Sequence, residues 1–192
     1  MQPIRIDLKQ ISKWEGGQQL VAYIPSQRGT VIGSSGVTVA TGVDLGQMSE
    51  EEINALDISD TLKEKLTPYA RKTREHAQAA LAKNQLKITQ EEADELDAVM
   101  SKKIFGRLIR LYNQDSSVPF HELPANAQTV IASIGWRRGA SFGRVINYQA
   151  LWSAAINQDW QELKTLLNNF PTQSRGLMKR CMREAELLNG LA

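Results

Sequence analysis

One glycine-rich stretch, running from Trp14 to Gln47, constrains this chain of 192 residues more than any other: WEGGQQLVAYIPSQRGTVIGSSGVTVATGVDLGQ. It contains short runs of β-branched, aromatic and aliphatic residues that are separated by turn-forming residues. These runs cover residues 20–24, 30–32 and 37–39. We therefore predict a small sheet of two or three strands. Gly42 and Gly46 would let the backbone approach closely around Asp44.

The segment before this stretch predicts a helix over residues 4–15. Its apolar positions and one acid follow the spacing of a single helical face: Ile4, Leu8, Ile11 and Glu15. Gly16 and Gly17 would end the helix, because glycine readily adopts the left-handed conformation found at helix ends. Glu15 would then lie on the apolar face at the end of the helix, beside Trp14.

The chain after Ser49 is predicted to be almost wholly helical. Ser49 with Glu52, and Thr89 with Glu92, have the spacing of capping boxes at helix starts. We therefore predict a mainly α, α+β fold in which a small N-terminal sheet lobe accompanies a larger helical lobe. The whole chain, 1–192, is expected to be one domain, with a division near residue 60.

Composition excludes several classes of function. Cys181 is the only cysteine, so no disulfide forms within the chain, and its helical spacing predicts a buried structural thiol. Two histidines and one cysteine are too few for a structural zinc site, and we expect neither metal nor cofactor. No apolar run is long enough to span a membrane. The net charge of +2 comes with no nucleic-acid-binding motif, so we expect no nucleic-acid partner.

Glu15, Thr38 and Asp44 could together cleave a glycosidic bond. That reaction uses two carboxyl groups: one protonates the leaving oxygen, and the other acts at the anomeric carbon. Glu15 on an apolar face would be partly desolvated, whereas Asp44 lies among small polar residues, and such different surroundings separate acid from base. By themselves, such residues are more often a salt-bridged or rim acid, a strand threonine and a turn aspartate.

The spacing E-x(22)-T-x(5)-D and the block GVTVATGVDLG at 36–46 resemble the lysozyme-like muramidase domain of the pesticin type, which is related to phage lysozymes. Segments 133–142 and 169–180 are also similar to phage-lysozyme segments, so the resemblance covers nearly the whole chain. It implies a helical lobe and a β-lobe with the active-site cleft between them. It also implies a peptidoglycan hydrolase that cleaves between N-acetylmuramic acid and N-acetylglucosamine.

The resemblance implies a role for each of the three residues. Glu15 would be the general acid, Asp44 the carboxylate that activates water or stabilises positive charge, and Thr38 the residue that positions the water. Thr41 is a rival for the hydroxyl role, and the spacing favours Thr38. Phage lysozymes often carry an acid soon after the tyrosine that corresponds to Tyr23. Here no acid lies between Tyr23 and Asp44, which favours the pesticin type.

Further expectations concern substrate, rivals and location. Candidate substrate contacts are Trp136, which could stack on a sugar, Arg137, which could bind a peptide-stem carboxylate, and Arg175.

Two alternatives stay open: a lytic transglycosylase, and a non-catalytic scaffold that binds cell wall or a partner. The N-terminus shows no continuous apolar signal segment. We expect synthesis in the cytoplasm, delivery through a pore or a secretion machine, and, for a toxin, an immunity protein as partner.

Overall fold

A computed structural model describes residues 3–27 and 29–191. Its helices, in chain order, are α1 (Leu8–Trp14), α2 (Glu50–Asn54), α3 (Asp60–Leu66), α4 (Arg74–Lys83), α5 (Gln90–Asp115), α6 (Ala125–Arg138), α7 (Gln149–Ile156), α8 (Trp160–Asn168) and α9 (Arg175–Leu187). Its strands are β1 (Gln19–Tyr23), β2 (Ser26–Gln27), β3 (Thr30–Val31), β4 (Thr38–Ala40) and β5 (Val43–Asp44). The predicted mainly α fold with a small antiparallel sheet is confirmed.

The residues divide into two compact units. One unit holds the chain up to Trp14 and from Ser101 onward, and the other holds Glu15–Met100. Helix α5 contributes its first part to the second unit and its remainder to the first. In the second unit, β1, β4 and β5 form a three-stranded antiparallel sheet, and β2 pairs with β3 in a separate ribbon. The predicted sheet is thus present, although β2 lies within a predicted turn and β5 was not predicted.

The sequence suggested a division near residue 60, but the two compact units do not divide there. Helices α3 and α4 and the first part of α5 bury their apolar faces in the same core as the sheet. Members of this core on both sides of residue 60 include Val37, Val39, Leu62, Leu66 and Leu96. The physical reason is that short strands expose an apolar face which these later helices cover. That the chain is one domain stays a prediction.

The first unit is built from α1, the second part of α5 and helices α6 to α9. Aromatic rings pack edge to face at its core: Tyr112 with Phe120 and Trp152, and Phe142 with Trp152. Cys181 is buried in this core, as predicted. Nowhere in the described part of the chain is a helix both long and apolar enough to cross a membrane.

The first helix is shorter than the predicted 4–15. It begins at Leu8 because Asp7 caps it, with Asp7 Oδ1 accepting a hydrogen bond from the Gln10 amide at 2.9 Å. The preceding residues are tied to α6 instead: the Arg5 amide donates to Gln128 Oε1 at 2.7 Å. Ile4 and Leu8 are 43% and 47% exposed, so the predicted apolar face is not buried as a continuous stripe. Gly16 and Gly17 end the helix as expected, with φ of 93° and 81°.

Candidate active site

The Asp44 carboxylate is held by the backbone of the second unit. Oδ1 accepts hydrogen bonds from the Gly36 amide at 3.0 Å and the Gly46 amide at 2.9 Å. Oδ2 accepts only a longer one, from the Gly36 amide at 3.2 Å. Asp44 also caps the short 3₁₀ turn at Leu45–Gln47 through its bond to Gly46. Two amides thus fix the orientation of this carboxylate, while Oδ2 retains capacity to accept a further hydrogen bond.

Only glycine fits at the two positions that supply these amides. A Cβ atom on Gly36 would lie 2.8 Å from Asp44 Oδ1, 2.5 Å from the Lys72 carbonyl oxygen and 2.6 Å from the Gly46 Cα. A Cβ atom on Gly46 would meet the same carbonyl oxygen at 2.5 Å. The close approach that the sequence predicted at Gly46 is confirmed. Gly42 contributes differently, through a positive φ of 79° in the turn between β4 and β5.

Thr38 and Asp44 face each other across the sheet. Thr38 on β4 pairs with Asp44 on β5 and, on its other side, with Tyr23 at the end of β1. Directly opposed residues of antiparallel strands project to the same face, so these three side chains form one row. Thr38 is buried, and its hydroxyl donates to the Gly36 carbonyl oxygen at 3.2 Å. Since that proton is engaged, the hydroxyl oxygen presents lone pairs to any further partner.

Glu15 acts electrostatically on Tyr23, the first residue of this row. Burial raises the pKa of the Tyr23 phenol, and the negative charges of Glu15 and then Asp44 raise it further. Both carboxylates therefore lie within electrostatic reach of one phenol in the same unit. From the sequence, Tyr23 was named only as the counterpart of a phage-lysozyme tyrosine and was given no role. Its alternation with Val21 places Tyr23 on the exposed face of β1. Its partner across the sheet depends on the strand register, which the linear pattern does not reveal.

Glu15 itself lies in the turn after α1, at the first position of the second unit. It is half-buried, as predicted, and its Oε1 atom is buried from solvent. The predicted cause was wrong, however. The residue does not continue a buried helical stripe but follows the helix, where the chain turns at Gly16 and Gly17 toward β1.

Thr41, the rival for the hydroxyl role, is engaged elsewhere. Its hydroxyl donates to Asp97 Oδ2 at 2.6 Å and its amide to Asp97 Oδ1 at 3.0 Å. Asp97 lies on α5, so this pair of bonds fastens the turn between β4 and β5 to that helix. The Gln18 side chain reinforces the same anchor by donating to Asp97 Oδ2 at 2.9 Å. The geometry thus gives Thr41 a structural part and leaves Thr38 in the row with Asp44.

The predicted substrate contacts lie in the first unit, and Arg137 is in a surprising setting. Its Nη1 lies 2.5 Å from Glu184 Oε1, and its side chain is 10% exposed. Burial opposes the charge of the guanidinium, but Glu184, Cys181 and Tyr148 act together against that effect, so the pKa of Arg137 is raised. Arg180 also pairs with Glu184, through Nε at 3.1 Å. Arg137 thus makes a structural contact in the core, and its contact with a stem carboxylate stays a prediction.

Trp136 and Arg175 are placed differently from Arg137. Trp136 is half-buried, and its ring lies 5.9 Å from that of Phe105 at the edge of the core. Arg175 is exposed and is the first residue of α9, which Ser174 caps by accepting from the Leu177 amide at 3.3 Å. A ligand contact by either residue stays a prediction.

Two carboxylates in different surroundings, with a hydroxyl beside one of them, form the type of arrangement that glycoside hydrolases use. The chain matches over residues 5–161 the family described as Pesticin, a bacterial toxin homologue of phage lysozyme, C-terminal part. It belongs to this family, which confirms the predicted resemblance. It is accordingly a lysozyme-like protein that acts on peptidoglycan and, at this coarse level, a glycoside hydrolase.

The match extends from the residues before α1 into α8 and so includes all three candidate catalytic residues. It ends before segment 169–180, where the resemblance stays a prediction. No curated protein sequence matches the chain.

Proposed function

We propose that this chain is an N-acetylmuramidase, which hydrolyses the β-1,4 bond between N-acetylmuramic acid and N-acetylglucosamine and thereby lyses bacterial cell walls. One observation carries the proposal. Asp44 is fixed by two backbone amides, Glu15 is half-buried in a turn, and both act electrostatically on the same phenol. Two carboxyl groups that act on the same phenol but have such different surroundings suit the two roles that the reaction requires.

Glu15 is the general acid in the proposed reaction. It donates its proton to the glycosidic oxygen as the bond to the anomeric carbon breaks. A general acid needs to be positioned beside the leaving oxygen and shielded from bulk water, since water would compete for the proton. The half-buried position of Glu15, with Oε1 away from solvent, supports this role.

Asp44 and Thr38 together position the attacking water. A water molecule has two protons, and the two neighbouring side chains can each accept one: Asp44 at Oδ2 and Thr38 at its hydroxyl oxygen. The Thr38 hydroxyl acts as an acceptor because its own proton is directed at the Gly36 carbonyl oxygen. The water oxygen then keeps a lone pair for the anomeric carbon, and Asp44 takes the proton that is released.

Product analysis tests the proposed bond and reaction type. Purified peptidoglycan is digested with the wild-type chain and with Glu15→Gln, and the fragments are analysed by mass spectrometry with and without borohydride reduction. We expect new reducing ends on N-acetylmuramic acid from the wild type only. Anhydro ends would instead identify a lytic transglycosylase, reducing N-acetylglucosamine ends a different bond specificity, and unchanged peptidoglycan a non-catalytic scaffold.

Asp44→Asn is expected to lower the rate of lysis by at least about 100-fold, the lower range for loss of an acid–base group. Asparagine keeps an oxygen that accepts from Gly36 and Gly46, so the fold of the sheet should persist while the ability to take a proton is lost. Turbidity of a peptidoglycan suspension measures the rate, and circular dichroism checks the fold. The exposed Asp57, changed to Asn, is the matched control. Full activity in Asp44→Asn would favour a mechanism with Glu15 alone.

Thr38→Val and Thr41→Val are expected to affect different properties, the rate of lysis and the stability of the fold. Thr38→Val removes one hydrogen bond to the attacking water and should lower the rate about 10-fold with a small change in stability. Thr41→Val loses a bond to the charged Asp97 and should lower the free energy of unfolding by about 1.5–3 kcal/mol, with the rate per folded molecule retained. Lysis rates and urea unfolding of both variants provide the comparison, and a rate loss confined to Thr41→Val would reverse the assignment.

The proposed substrate lies outside the cytoplasmic membrane, so we propose release through a pore or delivery by a secretion machine. The family description names a bacterial toxin. A bacterium that made such a toxin would need an immunity protein that blocks the site around Glu15 and Asp44. Extract of producer cells should then inhibit lysis by the purified chain, and undiminished lysis would count against this partner.

A further inference from the structure

Tyr23 is the exposed aromatic residue of the row that also contains Thr38 and Asp44. It ends β1, and its side chain is on the solvent-facing side of that strand with Gln19 and Val21. Tyr23 as a whole is 40% exposed, although it is paired across the sheet with the buried Thr38. An exposed ring at this place is not needed for the core of the second unit, which lies on the other face of β1 at Leu20 and Ala22.

The chemistry of Tyr23 complements that of its neighbours. Ionised carboxylates only accept hydrogen bonds, and the Thr38 proton is already engaged by Gly36. A sugar also presents acceptors, namely its ring oxygen, its hydroxyl oxygens and the carbonyl of an N-acetyl group. The Tyr23 hydroxyl makes no hydrogen bond with another group in residues 3–27 and 29–191. It is therefore available as a donor in a row that otherwise offers acceptors.

The ring adds a second kind of contact. Tyrosine combines an apolar face with a polar tip, which suits a ligand that has both C–H and O–H surfaces, as pyranose rings do. The raised pKa of Tyr23 keeps the phenol neutral, and thus able to donate, throughout the neutral pH range.

We propose that Tyr23 contacts the substrate directly: its ring packs on a sugar of the glycan strand, and its hydroxyl donates a hydrogen bond to that sugar beside Glu15 and Asp44. This inference rests on the proposed function, because it assumes that a glycan strand lies along the row of Tyr23, Thr38 and Asp44. Tyr23 binds and orients the sugar and takes no part in proton transfer.

The test separates the hydroxyl from the ring. Tyr23→Phe removes the hydroxyl alone, Tyr23→Leu removes the ring as well, and Val21→Ala trims an exposed side chain of the same strand as a control. Binding is measured by calorimetry with soluble peptide-free glycan strands, in chains that also carry Glu15→Gln so that the strands stay intact. We expect about 3- to 10-fold weaker binding for Tyr23→Phe, the effect of one lost hydrogen bond, still weaker binding for Tyr23→Leu, and binding within 2-fold for Val21→Ala.

Kinetics of the active chain provide a second readout. Tyr23→Phe should raise KM for the same glycan strands while kcat changes less than 2-fold, and the pH profile should keep its shape because the phenol does not titrate near neutral pH. A shifted pH profile would instead mean that Tyr23 acts through Glu15 or Asp44.

Equal binding by the Tyr23→Phe chain and its parent would overturn the role of the hydroxyl, even if the wild type hydrolyses peptidoglycan. If the wild type does not hydrolyse peptidoglycan but Tyr23→Phe still weakens glycan binding, the proposed function fails and the contact stands. Absence of any glycan binding by the parent would overturn both.

Discussion

Glu15→Gln is expected to lower the rate of lysis of purified peptidoglycan by about 10²- to 10⁴-fold, the usual contribution of a positioned general acid. Glutamine is nearly the same size as glutamate but cannot give up a proton to the glycosidic oxygen. The half-buried position tolerates a neutral amide, so the fold should be unchanged. Turbidity of the suspension gives the rate, and circular dichroism with thermal unfolding gives the state of the fold.

A matched control distinguishes this effect from a general loss of charge. Glu64 on α3 is exposed, and Glu64→Gln removes the same charge from the same unit. It should leave the rate of lysis within 2-fold of wild type. Undiminished lysis by Glu15→Gln would remove Glu15 as the acid and, with it, the proposed mechanism. Loss of activity together with loss of the fold would call for Glu15→Asp, which keeps the carboxyl group but moves it by one methylene.

Glu184→Ala is expected to lower the free energy of unfolding by about 3–5 kcal/mol, the cost of breaking a buried ion pair by removing one partner. Glu184 is 0% exposed, and its Oε1 accepts from Ser133 Oγ, Arg137 Nη1 and Arg180 Nε. Without it, Arg137 and Arg180 would keep their charges with little access to water. Such a loss is a large part of a typical stability of about 5–15 kcal/mol.

Thermal and urea unfolding measure the effect of Glu184→Ala. For a chain of this size, the loss corresponds to a fall in Tm of about 6–20 °C. Glu186 lies two residues further along α9 and is exposed, so Glu186→Ala should change the stability by less than about 0.5 kcal/mol. Equal stability of the two variants would show that the buried cluster contributes little.

Arg137→Ala extends the comparison to the predicted substrate contact. If Arg137 has a structural role, the substitution should lower the stability, because the buried charge of Glu184 loses one of its cationic partners. If Arg137 binds substrate, the substitution should lower the activity and leave the stability unchanged. The buried pair with Glu184 favours the first result.

Much of the fold could be predicted because its determinants are local. The capping boxes at Ser49 and Thr89 form as the sequence indicates, with the side chains of Ser49 and Glu52 each bonding the other residue's amide. The first helix was overestimated for a reason that local patterns do not contain. Its first predicted residues bond instead to Gln128 and Thr129, more than 100 positions along the chain.

The residues of the candidate site were proposed from the sequence, whereas their geometry came from the structure. The spacing of Glu15, Thr38 and Asp44 within a glycine-rich block was enough to indicate the family. The reason for the half-burial of Glu15 was wrong, and the preference for Thr38 over Thr41 gained its physical basis only from the bonds between Thr41 and Asp97. Tyr23 was given no role in the site, because an exposed tyrosine in a β-prone run has no distinctive pattern.

The sequence by itself determined the local backbone: where glycines permit a turn or a close approach, where helices are capped, and which acids lie in the glycine-rich block. Those properties depend on residues a few positions apart, so they are visible in the linear pattern. Only the tertiary structure decided the row of Tyr23, Thr38 and Asp44, the bonds from Thr41 to Asp97, and the enclosure of Arg137 by Glu184. Each of these depends on strand register or on packing between elements distant in the chain, because burial and partnership are properties of the folded core.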